Sequence, residues 1–364
     1  MSEKSGRERS VAIGVRLLQS GERPFVIAEA GVNHDGDLDT ALRLIDIAVA
    51  AGADAVKFQT FRTDDLVTDA APLVEYQKRG KTAATQRQLL AALELAEDAF
   101  AVLKDVCDER GILFLSTPHT VEAVDVLAPL VPAFKVGSAD LTNPLLLERV
   151  AATGLPVLLA TGMGTLPEVQ RAVGWLEGAG ARDIVVMHCT TAYPCPVPDA
   201  NLAVLATLAA ALDRPVGYSD HTPGIWVSVM AAALGAVVIE KHFTYDREAE
   251  GPDHAASLEP TALGELVTAL RQLPEAVGRA EKEPTAVEVP TIPKVRKSLT
   301  AKVAIAAGSV IVREHLSARR PQVGIGAEAL DRVVGRRAAR DIAAGAALEW
   351  DDVTQANPQV DPVQ

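Results

Sequence analysis

What the chain has little of narrows it first. Only three cysteines occur in 364 residues, Cys107, Cys189 and Cys195. They make no paired disulfide framework and lack metal-site spacing, so they read as structural thiols in a reducing compartment. Positive charge is also scarce: 35 Lys and Arg against 48 Asp and Glu leave a formal charge of −13. Nucleic acid or an anionic membrane surface would repel such a chain, so neither is expected as a partner. A few local lysines can still make one cleft attractive to a small anion. No apolar run reaches the ~18 residues of a membrane span. The longest candidate, residues 225–239, is broken by Ser228 and Gly235. The opening "MSEKSGRERS" has no apolar core of a signal peptide, so a cytoplasmic protein is expected. No glycine-rich nucleotide fingerprint or P-loop appears.

What is present is a repeating alternation. Apolar, β-branched runs occur at 25–31, 55–61, 112–118, 133–138, 157–162, 184–189, 215–220 and 237–243. Runs apolar on both faces suit a buried parallel sheet. Amphipathic stretches such as 38–53 and 165–181 separate them. Eight such units in roughly 250 residues predict a (β/α)8 TIM barrel. The polar residues agree: Glu29, Lys57, Ser116, Thr117, Lys135, Ser138, Thr161, His188, Ser219, His221, Glu240 and His242 all fall at or near the ends of these runs. In a barrel those ends converge on one face, where active sites are built. The expected organisation is an N-terminal extension (1–21), the barrel (22–280), a Pro-rich linker (281–297), a small turn-rich β module (298–354) and a disordered tail (355–364). Two "IAAG" turns, at 305–308 and 342–345, mark the module.

Several groups carry candidate chemistry. Lys57 and Lys135 interrupt apolar strands, which is costly unless each reaches a mouth or a partner. They read as clamps for phosphate or carboxylate, with Thr117 and Ser138 adding hydroxyl donors. A snorkelling lysine or a Schiff-base lysine are the alternatives. His221 and His242 end the seventh and eighth strands, ~4.8 Å apart in a parallel sheet. They read either as a pair sharing one divalent ion or as hydrogen-bonded core histidines. Glu29, Asn33 and His34 cluster after the first strand, where Asn33 or Asp35 would also serve as helix cap. Asp253 and His254 follow the eighth strand, in a segment that otherwise reads as a polar loop leading through Glu259 and Pro260 into a helix. Asp220 either orients its neighbours or caps the next helix.

The motifs "FVIAEAGVNHDGDL", "AVKFQTF", "FLSTP", "FKVGSADLTN", "TGM", "HCTTAYPCPVPDANL", "GYSDHTPGI", "VVIEKHFT", "GPDHAASLEP" and "RKSL" together resemble the sialic acid synthase family. These enzymes condense phosphoenolpyruvate to make N-acetylneuraminic acid, with relatives making legionaminic and pseudaminic acids. The resemblance covers about residues 22–340. It implies a TIM barrel followed by an antifreeze-like (SAF) domain, and a domain-swapped homodimer in which that domain covers the partner's barrel mouth. It also implies that Lys57, Thr117, Lys135, Ser138 and Ser219 hold phosphoenolpyruvate. His221 and His242 would bind Mn2+ or Mg2+. Glu29, Asp140, Tyr193 and Asp253 would contact an N-acyl hexosamine, and Arg320 would reach the partner's site. Two departures stand out. Ala160 replaces a common serine before "TGM", leaving Thr161 or backbone to compensate. "GSAD" places Asp140 where many bacterial members carry a glutamate. The expected reaction is condensation of phosphoenolpyruvate with N-acetylmannosamine, or a 2,4-diacetamido-trideoxy hexose, plus water. A Schiff-base aldolase and a non-catalytic sugar-binding barrel are the rivals.

Overall fold

The computed structural model describes residues 10–74, 83 and 85–354; the expected disordered tail lies outside them. The chain divides into two compact units at Gly278/Arg279.

The first unit opens with a hairpin, β1 (Val11–Ile13) and β2 (Arg16–Leu18). Eight parallel strands follow. These are β3 (Phe25–Gly31), β4 (Ala55–Thr60), β5 (Leu113–Pro118), β6 (Phe134–Val136), β7 (Val157–Ala160), β8 (Ile184–Cys189), β9 (Val216–Asp220) and β10 (Val238–His242). The ladder order β5-β4-β3-β10-β9-β8-β7-β6 is that of a nearly closed (β/α)8 barrel. All eight apolar runs read from the sequence became these strands.

Successive residues of each strand face opposite sides. One set, including Val26, Val56, Phe114 and Ile239, packs under the surrounding helices against Leu44, Leu103, Leu147 and Leu266. The other set, Phe25, Ile27, Leu115, Leu158, Met187 and Val238, fills the barrel interior. Ile13 and Leu18 of the hairpin belong to that interior cluster. The stretch read as an extension therefore closes the barrel: burying two such aliphatic side chains stabilises by roughly 1.5–3 kcal/mol each. Arg16 and Arg23 tie this end to Asp54, each with a nitrogen 2.8 Å from Oδ1.

The helices start and stop where local chemistry dictates. Asp37, not Asn33 or Asp35, caps Leu38–Ala51, its carboxylate accepting from the Thr40 amide at 2.8 Å. The helix of the 165–181 stretch runs Leu166–Gly178, opened by Thr165, whose amide and hydroxyl both donate to the Glu168 carboxylate at 2.7 Å. Among the described residues between β4 and the helix Ala99–Arg110, the shorter helices Thr63–Leu66 and Gln86–Leu93 accompany an apolar patch of Val32, Phe61, Leu89 and Leu93. Among the described residues no helix is long and apolar enough to cross a membrane.

The second unit contains short helical turns at Val289–Thr291 and Ile292–Val295, then the antiparallel pair β11 (Ser298–Ala301) and β12 (Leu316–Arg319). Its own core gathers Leu299, Ile305, Ile311, Ile325, Ile342 and Leu348. The two "IAAG" turns face each other: Ile305 and Ile342 exchange both backbone hydrogen bonds, at 2.9 and 2.8 Å.

Candidate active site

The interior layer nearest the C-terminal ends of the strands is charged. Strand alternation from Phe25 and Ile27 brings Glu29 inward, and from Ala55 it brings Lys57 inward. The same rule aims Lys135, Ser219 and Glu240 at one point. Lys57 Nζ lies 2.7 Å from Glu29 Oε2 and 3.8 Å from Glu240 Oε2, and donates to Thr117 Oγ1 at 2.9 Å. Lys135 Nζ lies 3.4 Å from Glu240 Oε1, to which Ser219 Oγ also donates at 2.8 Å. Four ionisable groups from β3, β4, β6 and β10 thus form one cluster.

Burial disfavours ionisation of both carboxylates, with different outcomes. It pushes Glu29 up to about 7 against the pull of Lys57, and the neighbouring Glu240 adds to the rise. Burial also opposes ionisation of Glu240. There Lys135, Lys57 and the Ser219 hydroxyl outweigh it and hold the carboxyl below the usual range. One carboxyl can therefore keep a proton at neutral pH while its neighbour stays charged, an arrangement that separates acid from counter-ion. Lys57 is raised: burial opposes its charge, but Glu240 and Glu29 overcome it.

His221 and His242 meet, with ring centroids 5.5 Å apart. Tyr193 packs on both, 4.2 Å from His221 and 5.7 Å from His242. His221 Nδ1 lies 2.7 Å from the Thr190 carbonyl, which requires the proton on Nδ1 and leaves Nε2 a lone pair. His242 Nδ1 is buried without a hydrogen-bond partner, 3.8 Å from Asp253 Oδ2. Burial lowers both histidines, and His221 and Lys57 lower His242 further, so both imidazoles are neutral. Neutral nitrogens with free lone pairs are the donor set a divalent ion requires. Among the described residues no three or more His, Cys, Asp or Glu gather as a metal cage, so the pair offers two ligands.

These groups border a cavity of about 300 Å³. Glu29, Lys57, Thr117, Lys135, Ser138, Tyr193, Ser219, His221, His242 and Asp253 all line it. Asp253 is buried, and burial pushes its carboxyl up to about 6. Two expected residues stand off the wall. Thr161 donates its hydroxyl to the Met187 carbonyl at 3.1 Å, while Ala160 takes the wall position, so Thr161 does not replace the missing serine hydroxyl there. Asp140 sits behind the wall, accepting from Asn143 at 3.0 Å with His119 Nδ1 at 3.9 Å. Arg320 is an exposed residue of the second unit, following β12.

Sequence reasoning placed Glu240 at a strand end without a role, and gave none to Gln59, His119 or Cys189. Gln59 Nε2 donates to Glu29 Oε1 at 3.4 Å, and its Oε1 lies 3.3 Å from His119 Nε2. Cys189, read as structural, lines the wall with Sγ 3.0 Å from Ser138 Oγ. The signal for Gln59 and Glu240 was strand period: each lies two residues from an assigned site residue, Lys57 or His242, on the same face. Asp220 faces the helices. It accepts from the Thr222 amide at 2.8 Å and Ser228 Oγ at 2.5 Å, so it both orients the His221 loop and pins the next helix.

The NeuB family profile matches residues 44–282 and the SAF domain profile residues 296–354. The chain belongs to the NeuB family, the sialic acid synthase family its motifs resemble. A Methanocaldococcus jannaschii protein of unassigned function is 41% identical over 344 residues, 94% of this chain and 98% of that protein. The N,N'-diacetyllegionaminic acid synthase of Legionella pneumophila is 40% identical over 346 residues, 93% of this chain and 97% of that enzyme. Among solved structures, N-acetylneuraminic acid (sialic acid) synthetase from Leptospira borgpetersenii is 34% identical with a TM-score of 0.70, covering 78% of this chain and 95% of that chain.

Proposed function

We propose that the chain condenses phosphoenolpyruvate with an unphosphorylated N-acyl hexosamine and water, giving a nonulosonic acid and phosphate. The observation that carries this reading is the meeting of the Lys57–Glu29–Glu240–Lys135 cluster and the His221/His242 pair in one cavity. The two lysines anchor the donor's phosphate and carboxylate, with Thr117, Ser138 and Ser219 as hydroxyl partners. Binding that anion beside Glu29 disfavours ionised Glu29 further, so the acid arrives protonated. A divalent ion, Mn2+ or Mg2+, held by His221 and His242 would polarise the sugar's aldehyde as a Lewis acid. C3 of the donor bonds to the aldehyde carbon, and Glu29 supplies the proton that turns the aldehyde oxygen into a hydroxyl. Water adds to C2, loses a proton, and the C2–O bond to phosphate breaks. Tyr193 and Asp253 contact the sugar. Arg320 would do so from a partner subunit in a domain-swapped homodimer.

The apolar part of the lining suits a deoxy sugar better than N-acetylmannosamine. Val32, Phe61, Leu66, Leu89, Leu90 and Leu93 form it. Among the described residues that line the cavity, Lys57 and Lys135 are the only lysines or arginines, and both are engaged by carboxylates. Methyl and acetyl groups suit the wall. The Legionella relative's name agrees. Phosphate release with a panel of N-acetylmannosamine, its 6-phosphate and 2,4-diacetamido-trideoxy hexoses tests this. Sugar-dependent release is expected, largest with the diacetamido sugars. Release with no sugar of the panel contradicts condensation.

A further inference from the structure

The segment from Phe243 to Glu259 joins β10 to the helix Pro260–Val277 and carries Asp253 to the cavity. A side chain from a different loop holds both its ends. Asp35, in the turn after β3, accepts from Tyr245 Oη on Oδ2 at 2.8 Å and presents Oδ1 to His254 Nε2 at 2.9 Å. His254 Nδ1 lies 2.7 Å from Thr244 Oγ1, so both ring nitrogens are engaged. Arg43 stacks over the far face of this group, 4.9 Å from the Tyr245 ring centre. Asn33 adds a second tie, donating to Phe243 O at 2.8 Å and Ser257 Oγ at 2.9 Å. Ser257 Oγ in turn donates to the carbonyl of Asp253 itself, at 2.7 Å.

Two details show how tightly this is constructed. Asp35 has φ 56, a left-handed conformation that few residues other than glycine adopt and that Asp tolerates better than most. Gly251 passes so close that a Cβ there would lie 2.6 Å from His254 Cδ2 and 3.2 Å from Asp35 Oδ1. Only glycine lets the chain cross the pair without displacing it. A His–Asp pair invites comparison with an acid–base dyad. Here neither residue lines the cavity, and the imidazole has no nitrogen left for a substrate.

We propose that Asp35 and His254 are positioning residues that lock the loop so that the Asp253 carboxylate stays at the sugar end of the cavity, beside His242. The assignment rests on Asp253 as a sugar contact, and it gives a task to Asp35 and His254, which the condensation leaves unassigned. It separates the two substrates: the clamp serves the sugar and leaves the lysine-anchored donor alone. Steady-state kinetics and amide hydrogen exchange on full-length Asp35→Ala and Asp35→Asn test it. Asp35→Ala should raise the sugar KM about tenfold or more while the phosphoenolpyruvate KM stays within about twofold. Asp35→Asn keeps an acceptor for His254 and should recover most of the sugar KM. Exchange across 244–257 should quicken about tenfold in Asp35→Ala, with β3 and β10 unchanged. Equal rises in both KM values, or an unaltered sugar KM, overturn the clamp. If the wild type turns over no sugar, the condensation reading fails, and exchange alone decides: unaltered rates across 244–257 overturn the clamp independently.

Discussion

Two buried ion-pair systems sit one residue apart on β9 and β10, and they are built to opposite specifications. Glu240 points into the barrel and meets Lys57 and Lys135; Lys241, next in sequence, points out and meets Asp220 at 2.8 Å. The outer pair is saturated. Asp220 accepts from the Thr222 amide and hydroxyl, Ser228 and Lys241, and Lys241 also donates to the Thr222 carbonyl. The inner system keeps capacity in reserve: Glu240 Oε2 and His242 Nδ1 are buried without hydrogen-bond partners. Buried polar atoms in native proteins are almost always satisfied, so a group of them left open at a cavity marks a place where a ligand completes the network. The outer pair stabilises a loop, whereas the inner one, on the proposed reading, binds substrates.

Truncating one member of each system separates the two most clearly. Asp220→Ala strands a buried lysine and should destabilise the fold by about 3–5 kcal/mol. Lys135→Ala should lower kcat/KM by about a thousandfold or more, with a melting temperature within a few degrees of wild type. Thermal unfolding and initial rates, measured on both variants, check the crossed pattern. Comparable melting losses in both would erase the distinction.

A smaller effect sharpens the inner system. Glu29 is pushed up to about 7 from 4.5, so its proton persists toward neutrality. Activity that needs that proton is present below this value and declines as pH rises through about 7. The limb belongs to the coupled cluster rather than to Glu29 alone. A kcat/KM profile should show it in the wild type and lose it in Glu29→Gln, which should be slow at every pH.

The smallest expected effect concerns Thr161. Its hydroxyl is spent on the Met187 carbonyl, so Thr161→Val should change the phosphoenolpyruvate KM by no more than about threefold, whereas Ser219→Ala removes a donor to Glu240 and should change it more. Equal losses would return Thr161 to the site.

These residues also show what the sequence could and could not reveal. The eight strands were legible because each is apolar on both faces, and the convergence of Lys57, Lys135, His221 and His242 followed from their place at strand ends. Which of two adjacent polar residues faces inward was the harder matter. Thr161 stands next to the wall position held by Ala160, and Glu240 shares the face of His242; only strand period applied residue by residue separates such neighbours. The hairpin Val11–Leu18 was missed because a short apolar segment after a charged start has too little periodicity to separate from a tail. Its role depends on interior contacts with Phe25 and Ile27, which no local pattern encodes. Asp35 escaped for the same reason, since its partners lie 210 and 219 residues away.

The most direct measurement follows the donor's own carbon. Phosphoenolpyruvate labelled with carbon-13 at C2 is incubated with the enzyme, Mn2+ or Mg2+ and a 2,4-diacetamido-trideoxy hexose, and the mixture is read by NMR. Condensation predicts that the enol-phosphate signal gives way to the ketose carbon of a nonulosonic acid, with one phosphate released for each and no lysine trapped by borohydride. Labelled pyruvate as the sole product, or turnover of pyruvate through a borohydride-trapped adduct at Lys57 or Lys135, would contradict the account.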